Sequence, residues 1–188
     1  KIFNYPPQNR TYGDAEAGFR VGTLIHDHAL KGSREALAII EGLKKKYEAN
    51  FHAVGIGECK AKLPWHMQYI RSPHRSDLAH VMSQLDIWLG ASHTEGLGRM
   101  SLEAMSSGLV VITTDTGAEF LKHGENCLLY KIGDAQKAAE LIDQVVNDRE
   151  LFTQLVLNGY ETASGAANPD MFKQNIHKVV TEVCNERH

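Results

Sequence analysis

The sequence predicts an α/β fold, a Rossmann-like parallel sheet covered by helices on both faces. Three observations carry that prediction. Short apolar runs rich in β-branched and aromatic residues recur along the chain, each followed by a segment whose apolar residues repeat at helical spacing. Short turns, most of them containing glycine, separate the segments, and alternation of this kind builds a parallel sheet with helices on its faces. The 188 residues, 43% of them hydrophobic, suffice for one well-buried domain and are few for two.

In order, Lys1 to Ala17 contains Pro6 and Pro7 among polar residues and reads as an extended leading segment, set at residues 1–18. Phe19 to Ile25 is a first strand, followed by the loop His26 to Gly32 and a helix from Ser33 to about Glu48. Ser33 is a suitable cap and Glu35 suits the first turn, while Ala36, Ala38, Ile39, Ile40 and Leu43 form an apolar face. The Lys44 to Lys46 run falls at the helix end, where cations suit the dipole. Phe51 to Gly57 is a second strand, Glu58 to Pro64 a loop, and Met67 to Ile70 a short third strand. Arg75 to Gln84 has Leu78, Val81 and Met82 at helical spacing. Asp86 to Gly90 and Leu109 to Thr113 read as buried strands flanking a helix from Arg99 to Ser107 that stops at Gly108. Ala118 to His123 is expected as a short helix and Asn126 to Tyr130 as a small strand. Asp134 is positioned to cap a helix over Ala135 to Val146, with Ala138, Leu141, Ile142 and Val145 facing inward. Glu150 to Tyr160 forms another helix, Ser164 to Pro169 a break, and Asp170 to Val183 a last helix.

The most informative stretch is Ser92 to Asp115. The loop Glu95-Gly-Leu-Gly98 follows a strand and opens a helix, where unpaired backbone N–H groups and the positive dipole end favour an anion. A Gly-x-Gly by itself also fits an ordinary tight turn. Two carboxylates narrow the choice. Glu95 and Glu103 stand eight positions apart, roughly 12 Å of rise if both were helical, which exceeds the about 5–9.5 Å of a glycosidase pair. They fit better as contacts to two parts of one long ligand whose phosphates lie between them, as in a nucleotide-sugar.

The motif Ser92-x-x-Glu95-Gly96-x-Gly98-x-x-x-Leu102-Glu103-Ala104-Met105-x-x-Gly108-x-x-Val111, with seven residues between the glutamates, resembles the signature of the retaining GT-B glycosyltransferases. The resemblance runs from about Phe19 to Asn147. It implies that residues 19–188 form the Rossmann-like nucleotide-sugar-binding domain, one half of a GT-B fold, with the N-terminal half absent. It implies that Glu95 lies by the donor sugar, that the amides of Gly96, Leu97, Gly98, Arg99 and Met100 meet the diphosphate, and that Glu103 accepts from the ribose hydroxyls. Lys31, in the Lys31-Gly32 pair, matches the family lysine that reaches the diphosphate; Gly22 and Thr23 stand where the family has a donor-contacting glycine and arginine, and Thr23 departs from that pattern. Arg71 is placed at the nucleobase, where a guanidinium can stack. Glu95 and Lys31 are the expected catalytic residues. Glu119 matches a family glutamate of structural rather than catalytic character, and Cys127 replaces a usual glycine.

The reaction implied is retaining transfer of a sugar from a nucleotide-sugar to a glycan or lipid-linked acceptor held by the missing domain, in polysaccharide or glycoconjugate synthesis. No cofactor is expected. His26-Asp27-His28 offers imidazole and carboxylate, yet too few ligands for a metal site, and no metal is assigned. One imidazole is instead expected to face phosphate where the family arginine is missing.

Composition excludes other classes. A net charge of −3 and only one basic cluster speak against nucleic-acid binding. No apolar run reaches the roughly 20 residues of a membrane span and no signal peptide is visible. Cys59, Cys127 and Cys184 are widely spaced, which suits a reducing, cytoplasmic setting, with the inner membrane face as a peripheral alternative. The chain starts with Lys rather than Met and reads as a fragment or a processed product. A dehydrogenase is disfavoured because no Gly-x-Gly-x-x-Gly follows the first strand. A non-catalytic nucleotide-sugar-binding module and a GT-B epimerase or phosphorylase remain as alternatives.

Overall fold

The computed structural model describes residues 3, 5–7, 12–60, 62–116 and 118–166. Six strands, β1 (Phe19–His26), β2 (Phe51–Glu58), β3 (Met67–Arg71), β4 (Ile87–Gly90), β5 (Val110–Thr114) and β6 (Leu128–Tyr130), form one sheet. Its order is β3-β2-β1-β4-β5-β6 and every neighbouring pair is parallel. Among the described residues five α-helices accompany them: α1 (Ser33–Tyr47), α2 (Arg75–Met82) and α3 (Arg99–Ser106) lie between strands in the chain, and α4 (Ala135–Asn147) and α5 (Arg149–Ala166) follow β6. The strand order reverses direction between β1 and β4. In such open sheets the loops leaving these two strands part to opposite faces, and the crevice between their carboxyl ends receives ligands.

The unbroken apolar character of the strands follows from burial on both sides. Along β4, Ile87 and Leu89 enter one core with Phe19, Val21, Ile40, Leu43, Ile142 and Phe152, while Trp88 enters the other with Met82, Leu85, Ala104, Met105 and Val111. One residue of alternation therefore decides which helical layer each side chain meets. No helix among the described residues is long and apolar enough to cross a membrane.

Local chemistry departs from the sequence expectation at three places. Ser33 does not cap α1. The capping position is Gly32, at φ 65°, and Ser33 Oγ instead accepts from His26 N and donates to His26 O, each at 2.8 Å, tying the helix start to the strand end. Residues 118–123 form turns rather than a helix. The buried Asn126 explains this: its Nδ2 donates to Phe120 O at 2.8 Å and its Oδ1 accepts from Lys122 N at 2.9 Å, claiming backbone groups a helix would pair internally. Helix α5 also continues through Ser164 to Ala166, because Ala163 is held in the second core. The expected Asp134 cap is present, accepting from Lys137 N at 3.0 Å. The expected last helix, Asp170 to Val183, lies outside the described residues.

Candidate active site

The carboxyl ends of β1 and β4 are brought together by a single backbone requirement. Gly32 adopts φ +65°, and a Cβ there would lie 1.7 Å from the carbonyl oxygen of Ala91. Only glycine permits the loop after β1 to rest on the loop after β4 at that distance. The same two loops are joined by His93 N donating to Leu30 O at 2.8 Å. Lys31, at the end of the short 3₁₀ turn Ala29–Lys31, is thereby set against Glu95, and Nζ donates to Oε1 at 2.8 Å across 64 residues of sequence.

Glu95 is about a quarter exposed at its side chain. Burial pushes its carboxyl pKa up, but the hydrogen bonds from Lys31 and Ser92, together with the lysine charge, outweigh that effect and hold it below the ordinary value. The loop carrying it is braced from beneath. Thr114 Oγ1 donates to Ser92 O, and Tyr130 OH donates to Gly90 O at 2.9 Å.

From Gly96 onward the loop opens. A Cβ on Gly96 would meet nothing within 4 Å, and Leu97 is 69% exposed. Gly98, at φ 65°, is the capping position of α3, and no side chain caps that helix. The first-turn amides of an uncapped helix are available to an anion. Gly98 also packs against the ring of Phe120, which a Cβ would approach to 3.3 Å. Arg99 is largely exposed and Met100 leans on the second core.

Glu103 lies one turn deeper in α3, with only 9% of its side chain exposed. Arg75 Nη2, from the first residue of α2, donates to Oε1 at 3.1 Å, and Arg99 Nε stands 3.8 Å from the same oxygen. Burial raises the carboxyl pKa, and the two guanidinium charges offset this only in part.

The structure thus gathers Lys31, Glu95 to Met100 and Glu103 along the mouth of the sheet. It separates three expected members from them. Gly22 and Thr23 belong to the body of β1, where Gly22 pairs with Val54 and Trp88 and a Cβ would strike Leu85 Cδ1 at 2.3 Å. Both lie inside the strand, which runs on four residues beyond Gly22. Arg71 ends β3 but turns to Glu58, with 3.5 Å between Nη2 and Oε1, and is 63% exposed. Arg75, four positions on, is the arginine that reaches the motif glutamate. Sequence reasoning missed it, and its only signal was a basic residue opening a helix whose start abuts the sheet edge.

In the loop after β1, His26 Nδ1 accepts from His28 N at 2.9 Å and His28 Nδ1 from Leu30 N at 3.3 Å. These bonds occupy Nδ1 of each ring and leave Nε2 for other contacts. Asp27 is drawn away from the histidines to the amide of Lys60, at 3.0 and 3.2 Å, and that hydrogen bond is the main cause of its lowered pKa. Among the described residues no group of three or more His, Cys, Asp or Glu is arranged to hold a metal ion. Cys127 is fully buried, which pushes its thiol up to about 12 and leaves it inert as a nucleophile.

Comparison with known proteins agrees with this architecture. The C-terminal domain of LpcC, a glycosyl transferase group 1 family protein from Francisella tularensis, superposes with a TM-score of 0.71 at 26% identity, covering 87% of this chain and 94% of that one. HepE from Anabaena, solved in complex with UDP-glucose, has the same fold, with a TM-score of 0.73 at 20% identity over 89% of this chain and 50% of that one. In sequence, the lipopolysaccharide core biosynthesis glycosyltransferase LpsE of Rhizobium meliloti is 34% identical over 93 residues, 48% of this chain but only 27% of LpsE. The chain spans 39% of another relative, the capsular polysaccharide biosynthesis glycosyltransferase CapM of Staphylococcus aureus. Residues 18–148 match the family described as glycosyl transferases group 1, and the chain belongs to that family.

Proposed function

We propose that this chain is the donor-binding half of a retaining glycosyltransferase that moves a sugar from a nucleotide-sugar to a glycan or lipid-linked acceptor. The observation that carries the proposal is the pairing of Lys31 with Glu95 at 2.8 Å beside the open, uncapped start of α3. A diphosphate fits there because amides, helix dipole and ammonium converge where negative charge grows as the sugar departs, and preorganised donors of this kind act most strongly in the transition state. These groups take the part a divalent cation would otherwise play, so no metal or cofactor is required. Glu95 then lies on the sugar side of the diphosphate, where its carboxylate orients the sugar and offsets oxocarbenium charge. Glu103 lies on the other side, one turn along α3, and accepts from the ribose. HepE, described with UDP-glucose, supports a uridine nucleotide-sugar, and LpsE and CapM support a polysaccharide or lipopolysaccharide product.

The acceptor belongs to a companion N-terminal domain, with residues 1–18 leading into this one. The wide spacing of the cysteines in the sequence is in keeping with a cytoplasmic place of action. A thermal-shift panel of UDP-, GDP- and ADP-sugars tests the donor assignment, since a ligand that binds the folded state alone raises its melting temperature. A rise with one nucleotide class supports it; no rise at millimolar concentration of any of them rejects it.

A further inference from the structure

We propose that Arg75 is a donor-positioning residue whose guanidinium fixes one oxygen of Glu103 and so presents the other to the ribose, setting the preference for a full ribose over a deoxyribose. This rests on the donor assignment above and adds a residue that the glycine loop and its two glutamates do not include. Arg75 opens α2, and the start of that helix is fixed by His74 Nδ1, which accepts from Ser76 N at 3.4 Å. Its guanidinium is held on two sides, by Glu103 Oε1 at 3.1 Å and by the ring of Phe3, whose centroid lies 5.5 Å from Cζ. The leading segment is itself anchored on α3, with Tyr5 N donating to Ser106 O at 3.1 Å.

Both guanidinium contacts to Glu103 fall on Oε1, and among the described residues no hydrogen bond is made to Oε2. A carboxylate with one oxygen satisfied and one free, only 9% exposed, has the geometry to accept from a single hydroxyl with its orientation already set. The arrangement also protects the charge. Arg75 and Arg99 are the cations facing Glu103, and burial without them favours the protonated acid, a poorer acceptor. Arg99 is 71% exposed and further away, so Arg75 is the dominant restraint. A salt bridge serving stability alone would need neither the free oxygen nor the aromatic clamp.

The test measures affinities of UDP, 2′-deoxy-UDP and 3′-deoxy-UDP, and of the corresponding GDP set, by calorimetry. The proteins are the wild-type chain, Arg75→Gln, Arg75→Lys and Arg75→Gln in a Glu103→Gln background. The inference expects Arg75→Gln to weaken the full ribonucleotide about tenfold while at least one deoxy form changes less than twofold, so that the preference collapses. Arg75→Lys restores part of it, and in the Glu103→Gln background the arginine substitution has no further effect. Equal losses for ribo and deoxy forms, or no loss, overturn the inference and leave the donor assignment standing. Failure of wild type to bind any of the diphosphates overturns both.

Discussion

Glu95 and Glu103 share one loop-helix unit and sit in opposite electrostatic conditions. Glu95 is on the loop, paired to Lys31 and assisted by Ser92, and its pKa falls below the ordinary value despite burial. Glu103 is on the helix and more deeply buried, and its pKa rises even beside two arginines. A carboxylate stabilised by its surroundings keeps its charge at no cost to the fold. One destabilised by them is retained against the interest of stability, which is a mark of a group kept for a ligand. Under the proposed function this contrast suits Glu95 to the reacting sugar, where steady charge matters, and Glu103 to recognition.

That contrast can be broken most directly by substitution. In a full-length enzyme of the proposed function, Glu95→Ala is expected to lower turnover by about 10²–10³-fold with donor affinity little changed, as for loss of one preorganised transition-state contact. Glu103→Ala is expected to weaken donor binding about tenfold with turnover at saturation nearly intact. Steady-state kinetics of the two variants would show these as kcat and KM effects respectively, and similar profiles for both would remove the distinction.

Gly32→Ala strikes the scaffold that brings the two loops together. A side chain at φ +65° whose Cβ lies 1.7 Å from Ala91 O forces the loops apart. The expected loss is about 3 kcal/mol of unfolding free energy, from combined backbone strain and steric conflict. Urea denaturation measures it, and an unchanged midpoint would mean that the loops are not held by this contact.

The smallest effect is one of pH. Because the folded pKa of Glu103 is raised, its contribution to stability is fully present below its ordinary value of 4.5 and is lost as pH rises through the folded value. Glu103→Gln is therefore expected to raise the melting temperature by a degree or two at pH 7 relative to wild type, and this gain should vanish near pH 4. For Glu95 the sign reverses: its stabilising pair with Lys31 is present above 4.5 and lost as pH falls through its lowered value, so Glu95→Gln should lower the melting temperature at pH 7.

Local pattern was enough to reveal the strands, the helices of α1 to α4 and the glycine loop, since each depends on residues within a few positions of one another. The buried Asn126 defeated the expectation of a helix at 118–123, because its side chain competes for backbone groups only once it is held in place by the fold. Arg71 and Arg75 illustrate a harder limit. Both flank the same turn, and which of them reaches Glu103, 28 residues away from Arg75, is set by where the fold places the start of α2. Gly22 was expected on the ligand side, and the close approach of Leu85, from far along the chain, is no part of any local pattern; a Cβ there would meet Leu85 Cδ1 at 2.3 Å. Periodicity shows which face a residue occupies, whereas partners distant in sequence emerge only from packing.

Under the proposed function the open start of α3 grips a diphosphate between Glu95 and Glu103. Backbone amide chemical-shift mapping by NMR, titrating the chain with UDP and GDP, tests this most directly. The largest shifts are expected on residues 96–100, with smaller ones at Lys31 and Glu103. Shifts concentrated elsewhere on the sheet, or saturation with residues 96–100 unmoved, would contradict it.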